Sequence, residues 1–393
     1  MNDLIIFAAR HRLGCCAGDS ATFATCHYLE KYKRNRETIE KRNAWKTEGM
    51  GAAFQNVQQR HGPGAEEIDA RAAVNGLAFA RDNKIIYSLS VESYSGIFLK
   101  DPKDDGETEG HIIHDNKTAF LNLDYHPETD EIVVSVQDSA WERHLALFEP
   151  KSSRYRKVTE GECVDENPVW GKRASRAGYY DSAGIGKDGA GRFFGVGEKT
   201  INRLDLDSGM TSELIAVAKH DCFLPRVDRD DRIYLIKRPF KKPGPRPMTF
   251  KDFLLIPWRL GRAIYSWMQF FSMRYTGEPL SSAGPNPTQA KEKDPKEIFL
   301  NGNMINAEQA LKENRAKGDA FPGIAPRSWE LTRQEKDGSL TRIKRGVIDF
   351  DLTGNGEIVY SNGKYLIRID REGKEQVIET MDLINRVRVR TGV

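Results

Sequence analysis

The chain has 393 residues, 39% of them hydrophobic and 30% charged, and 60 Lys and Arg against 57 Asp and Glu leave a net charge of +3. That balance excludes a disordered chain, supplies apolar material for a large core and gives no basic footprint for nucleic acid. The five cysteines, an odd number without a CxxC pair, exclude a disulfide framework and read as reduced thiols.

At the N-terminus, MNDLIIFAARHRLG places an Asp before a short apolar run and has no basic leader, which predicts a strand rather than a signal peptide and a cytoplasmic protein. Further strands are expected around residues 27–33 and 39–46. Cys15, Cys16, Cys26 and His27 are metal-binding residue types, but structural zinc takes ligand pairs about two to four residues apart, and they are not read as a site. From Val74, VNGLAFARDNKIIYSLSVESYSGIFLKDP alternates apolar and polar residues around an Asp-Asn turn, giving strands over 85–89 and 97–99. HIIHD follows an acidic run. On a strand His111 and His114 would point to opposite faces, so they are read as solvated histidines of an inter-blade connection. From Leu121 the pattern returns, with strands over 132–136 and 145–148.

GIGKDGAG, residues 184–191, is glycine-rich but leads into a strand, so it is a turn and not a phosphate loop. It opens the clearest internal repeat. DGAGRFFGVGEKTINRLD, from Asp188, aligns without a gap with TGNGEIVYSNGKYLIRID, from Thr353, setting Gly191 on Gly356, Phe193 on Ile358, Lys199 on Lys364 and Asp205 on Asp370. Another unit begins at Phe223, breaks off, and resumes over 328–345. The C-terminal MDLINRVRV is expected to pair with the N-terminal strand. Units of this size at uneven intervals of about forty to sixty residues predict an all-β fold, a β-propeller of six blades closed by strands from both termini. A seventh blade stays open because residues 49–69 show no readable pattern.

At these repeats the chain resembles the six-bladed propellers of the NHL-repeat, TolB-like and gluconolactonase-like group. The resemblance implies architecture, and this fold hosts lactonases, lyases and binding platforms alike. Among gluconolactonase-like relatives it would imply a divalent metal such as Ca or Mg, held at the channel mouth by Glu, Asn and Asp from inner strands. Asn75, Asn122, Glu166, Asn167, Asp228 and Asp349 occupy comparable positions. The competing reading gives these residues turn and blade-linking hydrogen bonds, with no cofactor.

A single propeller domain over 1–393 would carry a helical and loop insertion at 239–327. There KKPGPRP ends a strand, and FLLIPWRLGRAIYSWMQFF, residues 253–271, follows. Leu260, Ala263, Ile264, Trp267, Met268 and Phe271 fall on one helical face and Arg259 and Arg262 on the other. The arginines argue against a membrane span. The helix could be core, dock a protein partner, or lie on a membrane surface. Trp258, Arg259, Arg262, Trp267, Phe270 and Phe271 are the candidate partner-binding residues, since aromatic anchors beside Arg favour interface centres. A second helix is expected over 304–317, with Asn306 as N-cap. The function expected is a non-enzymatic protein-interaction scaffold, with a metal-dependent hydrolase or lactonase at the channel mouth, or membrane attachment, as alternatives.

Overall fold

The computed structural model describes residues 3–18, 20–43, 72–91, 94–102, 109–149, 154–171, 176–189, 191–241 and 297–390. The chain forms two compact units, residues 1–241 with 298–393 and residues 242–297. Apart from Glu297 the second unit lies outside the described residues, and with it the segment 253–271 and its Trp258, Arg259, Arg262, Trp267, Phe270 and Phe271.

The first unit is a ring of six antiparallel sheets, a six-bladed β-propeller. Blade one draws on both ends of the chain, in the order β27 (Ile384–Arg390), β1 (Leu4–Ala9), β2 (Arg12–Ala17) and β3 (Ser20–Ala24). Blade two is β4 (Ala73–Phe79), β5 (Ile85–Val91), β6 (Tyr94–Lys100) and β7 (Glu109–Asp115). Blade three is β8 (Ala119–His126), β9 (Glu131–Gln137), β10 (His144–Phe148) and β11 (Tyr155–Lys157). Blade four is β12 (Cys163–Trp170), β13 (Ala177–Lys187), β15 (Thr200–Asp205) and β16 (Thr211–Ile215), with β14 (Phe193–Val196) on the far end of β13. Blade five is β17 (His220–Val227), β18 (Ile233–Pro239), β21 (Glu330–Gln334) and β22 (Leu340–Arg345). Between β18 and β21 come a hairpin, β19 (Glu297–Leu300) and β20 (Asn303–Asn306), and helix α2 (Ala307–Ala316). Blade six is β23 (Asp349–Leu352), β24 (Ile358–Ser361), β25 (Tyr365–Ile369) and β26 (Glu375–Thr380). The first strand of each blade is innermost, and β4, β8, β12, β17, β23 and β27 pack successively around the channel.

Blade stacking explains why strands such as LIIFAA are apolar throughout instead of alternating. Successive side chains point to opposite faces, and both faces are covered. Ile6 and Ala8 join the core shared with Val74 and Leu77, whereas Ile5, Phe7 and Ala9 join that of Val359 and Leu366. Inner strands approach closely where side chains allow it. A Cβ on Gly76 would stand 2.6 Å from the Leu121 carbonyl, so that position admits only glycine.

The expected closure is observed: β1 pairs with β27 antiparallel, Ile5 opposite Val389 and Phe7 opposite Val387. Three local expectations are corrected. Residues 27–33 and 39–46 were expected as strands, but His27–Asn43 is a helix, α1. Its apolar contacts come from Tyr28, Leu29 and Tyr32, which recur at helical spacing and pack on the blade two core. The Glu109 carboxylate accepts from the Tyr28 N–H at 2.9 Å, so an acid from β7 satisfies an orphan donor at the helix start. HIIHD belongs to β7 and not to a loop. A bulge opposite Ile97 and Phe98 skips Ile112, which lets His111 Nε2 and His114 Nδ1 meet at 2.7 Å despite their spacing. In the repeat, β15 and β25 are equivalent third strands, but Phe193 opens β14, which pairs with β13, whereas Ile358 opens β24, a second strand. A similar turn thus precedes different strands in the two blades.

The second expected helix is present as α2. Asn306 Oδ1 accepts from the Gln309 N–H at 2.8 Å, the N-cap bond anticipated from sequence. Among the described residues no helix is long and apolar enough to cross a membrane.

Candidate functional site

The channel is lined by inner strands whose side chains cannot reach bulk water freely, so each charge there needs a partner. Blade four supplies the densest cluster. Lys199, immediately before β15, donates to Glu166 on β12 at 2.5 Å and to Asp181 on β13 at 2.7 Å. Glu166 also accepts from Arg143, and Asp181 accepts from the Asn167 amide at 2.7 Å and the Leu224 N–H at 3.1 Å. Burial pushes the Glu166 carboxyl up, but Lys199 and Arg143 together outweigh it and hold it at about 2. For Asp181 burial wins, with the Glu166 charge adding to it against the pull of Lys199 and Asn167, and its carboxyl lies above the usual range. Burial opposes the Lys199 charge, yet Asp181 and Glu166 raise its ammonium above the ordinary value.

Across the channel Asp349 is fully buried and accepts from Arg388 at 3.2 Å and from the Val387 N–H at 3.0 Å. Arg226, also buried, lies 3.6 Å from Asp349 and 3.7 Å from Asp351. Its Nε and Nη2 make no hydrogen bond, and burial, then the Arg388 charge, lowers its pKa. Above this layer, where β4, β8, β17, β23 and β27 end, a cavity of about 700 Å³ is ringed by Asp124, Asp228 and Asp351 and by Arg229, Arg388 and Arg390.

The sequence-derived metal candidates are therefore distributed as follows. Asn75 and Asn122 join neighbouring inner strands, the Asn122 amide donating to the Asn75 carbonyl at 3.3 Å. Glu166 and Asn167 belong to the Lys199 cluster, and Asp349 to the arginine cluster. Asp228 caps the turn after β17, accepting from the Asp230 and Arg232 N–H groups at 2.9 Å, and pairs with the Arg232 guanidinium at 3.2 Å. A hard divalent ion needs several carboxylate or carbonyl oxygens converging on one point. Here Glu166, Asp228 and Asp349 each face a cation of the same chain, so this donor set does not fit the metal that the resemblance implies. The residues that organise the channel, Lys199, Asp181, Arg226 and Arg388, were not singled out from sequence. Lys199 alone carried a signal, its place in the repeat.

No family model and no curated protein sequence matches the chain. Solved structures do. TolB from Acinetobacter baumannii superposes with a TM-score of 0.51 at 10% identity, over 99% of this chain and 67% of that one. The fold is that of the TolB-like propellers. A gluconolactonase from Xanthomonas campestris matches at TM-score 0.43 and 9% identity, over 80% of this chain and 78% of its own. The tricorn protease matches at 0.46 and 11% over 99% of this chain and 34% of that one. At such identities the likeness concerns architecture, and the propeller's function rests on its own residues.

Proposed function

We propose that the chain is a non-enzymatic binding platform whose propeller engages a protein partner in the cytoplasm. The observation that carries this reading is the internal neutralisation of the channel, in which Glu166, Asp181 and Asp349 are each committed to Lys or Arg of the same chain. Such pairing builds a rigid interior and leaves recognition to the periphery, where loops on a fixed scaffold carry binding. The charged cavity at the strand ends is one such surface. The other candidate is read from sequence alone: in the segment 253–271, Trp258, Trp267, Phe270 and Phe271 beside Arg259 and Arg262 have the composition of an interface centre. The cytoplasmic assignment is supported by five cysteines that form no disulfide, four of them buried.

The test is affinity purification of the full chain from its native cells beside Trp267→Glu and Arg229→Glu, with eluates read by mass spectrometry. The expected result is a stoichiometric partner held by the parent and lost from Trp267→Glu, whose thermal melting stays unchanged. Equal recovery from all three proteins, or lactone hydrolysis by the purified chain supplied with Ca(II) or Mn(II), would overturn the platform reading.

A further inference from the structure

Blades three and four meet at a second polar cluster, set at the start of inner strand β12, whereas the cavity gathers the inner-strand ends. Arg143 and Val164 form a parallel bridge there, the Arg143 N–H donating to the Cys163 carbonyl at 3.1 Å and the Asp165 N–H to the Arg143 carbonyl at 2.9 Å. This clamp brings His144, the first residue of β10, against Cys163 and Asp165, which share one face of β12 because they are two residues apart. The Cys163 Sγ lies 3.3 Å from Asp165 Oδ2 and 3.8 Å from His144 Nδ1, and the three ligating atoms all fall within 4.8 Å of one another. His144 is 6% and Asp165 2% exposed, while Cys163 is half-buried.

We propose that His144, Cys163 and Asp165 bind a zinc-class divalent cation. Zinc–ligand bonds of about 2.0 to 2.3 Å at tetrahedral angles set ligand atoms about 3.5 Å apart, which is the separation found around Cys163. Imidazole, thiolate and carboxylate are the mixed N, S and O set that a borderline cation favours over calcium or magnesium. The charges also close. A thiolate and a carboxylate neutralise a dication in a setting where His144 and Asp165 are almost wholly buried. On binding, the Cys163 S–H bond breaks, its proton leaves to solvent, and the sulfur–metal bond forms.

Asp165 is held in position for this. Its Oδ1 accepts from Ser182 Oγ at 2.6 Å and its backbone carbonyl from Ser135 Oγ at 2.7 Å, which turns Oδ2 toward Cys163. A carboxylate oriented by a hydroxyl on its other oxygen is the usual outer-shell support of a metal ligand. Three protein ligands leave a fourth position for solvent on the half-buried Cys163 side.

The experiment titrates the purified full chain with Co(II) and then displaces it with Zn(II). One equivalent of Co(II) should produce a thiolate-to-cobalt charge-transfer band that Zn(II) abolishes. Cys163→Ser should lack the band, and Ser182→Ala should keep it while binding Zn(II) about 10- to 100-fold more weakly. Because Cys163→Ser could fail to fold, alkylation of the parent by iodoacetamide is measured in parallel, with modified peptides identified by mass spectrometry. Zn(II) should slow modification of Cys163 by at least about tenfold, as a ligated thiolate is withdrawn from attack. No charge-transfer band in the parent, a band that survives in folded Cys163→Ser, or equal alkylation of Cys163 with and without Zn(II) would each overturn the site.

Discussion

Replacing Lys199 with methionine would leave Glu166 and Asp181 buried together without their shared cation. Removing one member of a buried ion pair strands the others in low dielectric, so Lys199→Met should destabilise the fold by about 3–5 kcal/mol in denaturant unfolding. The same cluster makes a prediction about acid. Glu166 is held at about 2 against an ordinary 4.5, so the native state resists protonating it. Its contribution is therefore fully present above that ordinary value and disappears as pH falls toward the depressed one. Stability measured across this acid window should fall less steeply in Glu166→Gln than in the parent. Sequence showed the place of Lys199 and not its role. It aligns with Lys364, and both immediately precede a third strand, yet Lys199 is 6% exposed between two carboxylates while the Lys364 ammonium sits 5.5 Å from the Tyr365 ring. A repeat transmits backbone topology; the chemistry depends on the side chains that other strands bring to the position, here Glu166 on β12 and Asp181 on β13. His144 and Cys163 were hidden for the same reason, since 19 residues of chain separate two atoms that the blade interface brings together.

The strands were legible wherever turn residues and apolar runs alternated, as in DNKIIYSLS, because the fold buries both faces of most strands and leaves the turns polar. Helix α1 was not. Its tyrosines at positions 28 and 32 carry β propensity and favoured the strand reading over the local helix signals, an apolar triplet at helical spacing with Glu30 in the first turn and Lys41 and Arg42 in the last; the apolar surface of blade two and the capping carboxylate of Glu109 complete the selection from afar. Helix α2 was legible because its signal is local. Asn306 precedes AEQALKENRA, good helix formers with an acid in the first turn. The cap bond should be worth about 1 kcal/mol, so Asn306→Ala should lower stability by that amount while Asn306→Asp retains it. Differential scanning of the two variants separates the cap from mere tolerance of the site. The buried end of this element is fixed by Asn314, whose amide donates to the Gly323 and Ala325 carbonyls at 2.8 and 3.0 Å. A fraying of α2 is thereby coupled to the loop that leads into β21.

At the scale of the ring, one strand decides whether six blades form a closed body. β27 is the inner strand of a blade whose other three strands come from the opposite end of the chain, and it packs on β23 and on β4. It also completes the channel electrostatics, because the Val387 N–H and the Arg388 guanidinium are the donors to Asp349 Oδ2. A chain ending at Leu383 would expose the edge of β1 along its whole length and leave Asp349 Oδ2 without those donors, combining an open sheet edge with a buried acid that keeps only the Phe350 N–H and the more distant Arg226. It should lose its cooperative thermal transition and elute as aggregate in size-exclusion chromatography. A peptide of residues 384–393 supplied in trans should restore the transition in proportion to its concentration, since strand addition to an open edge recovers both the backbone ladder and the Arg388 contact. The peptide carrying Arg388→Ala separates these terms: it offers the same backbone but not the guanidinium, and should rescue at higher concentration. A truncated chain that melts as one transition within a few degrees of the parent would mean that closure by β1 and β27 does not hold the ring together, and that the interfaces between blades suffice.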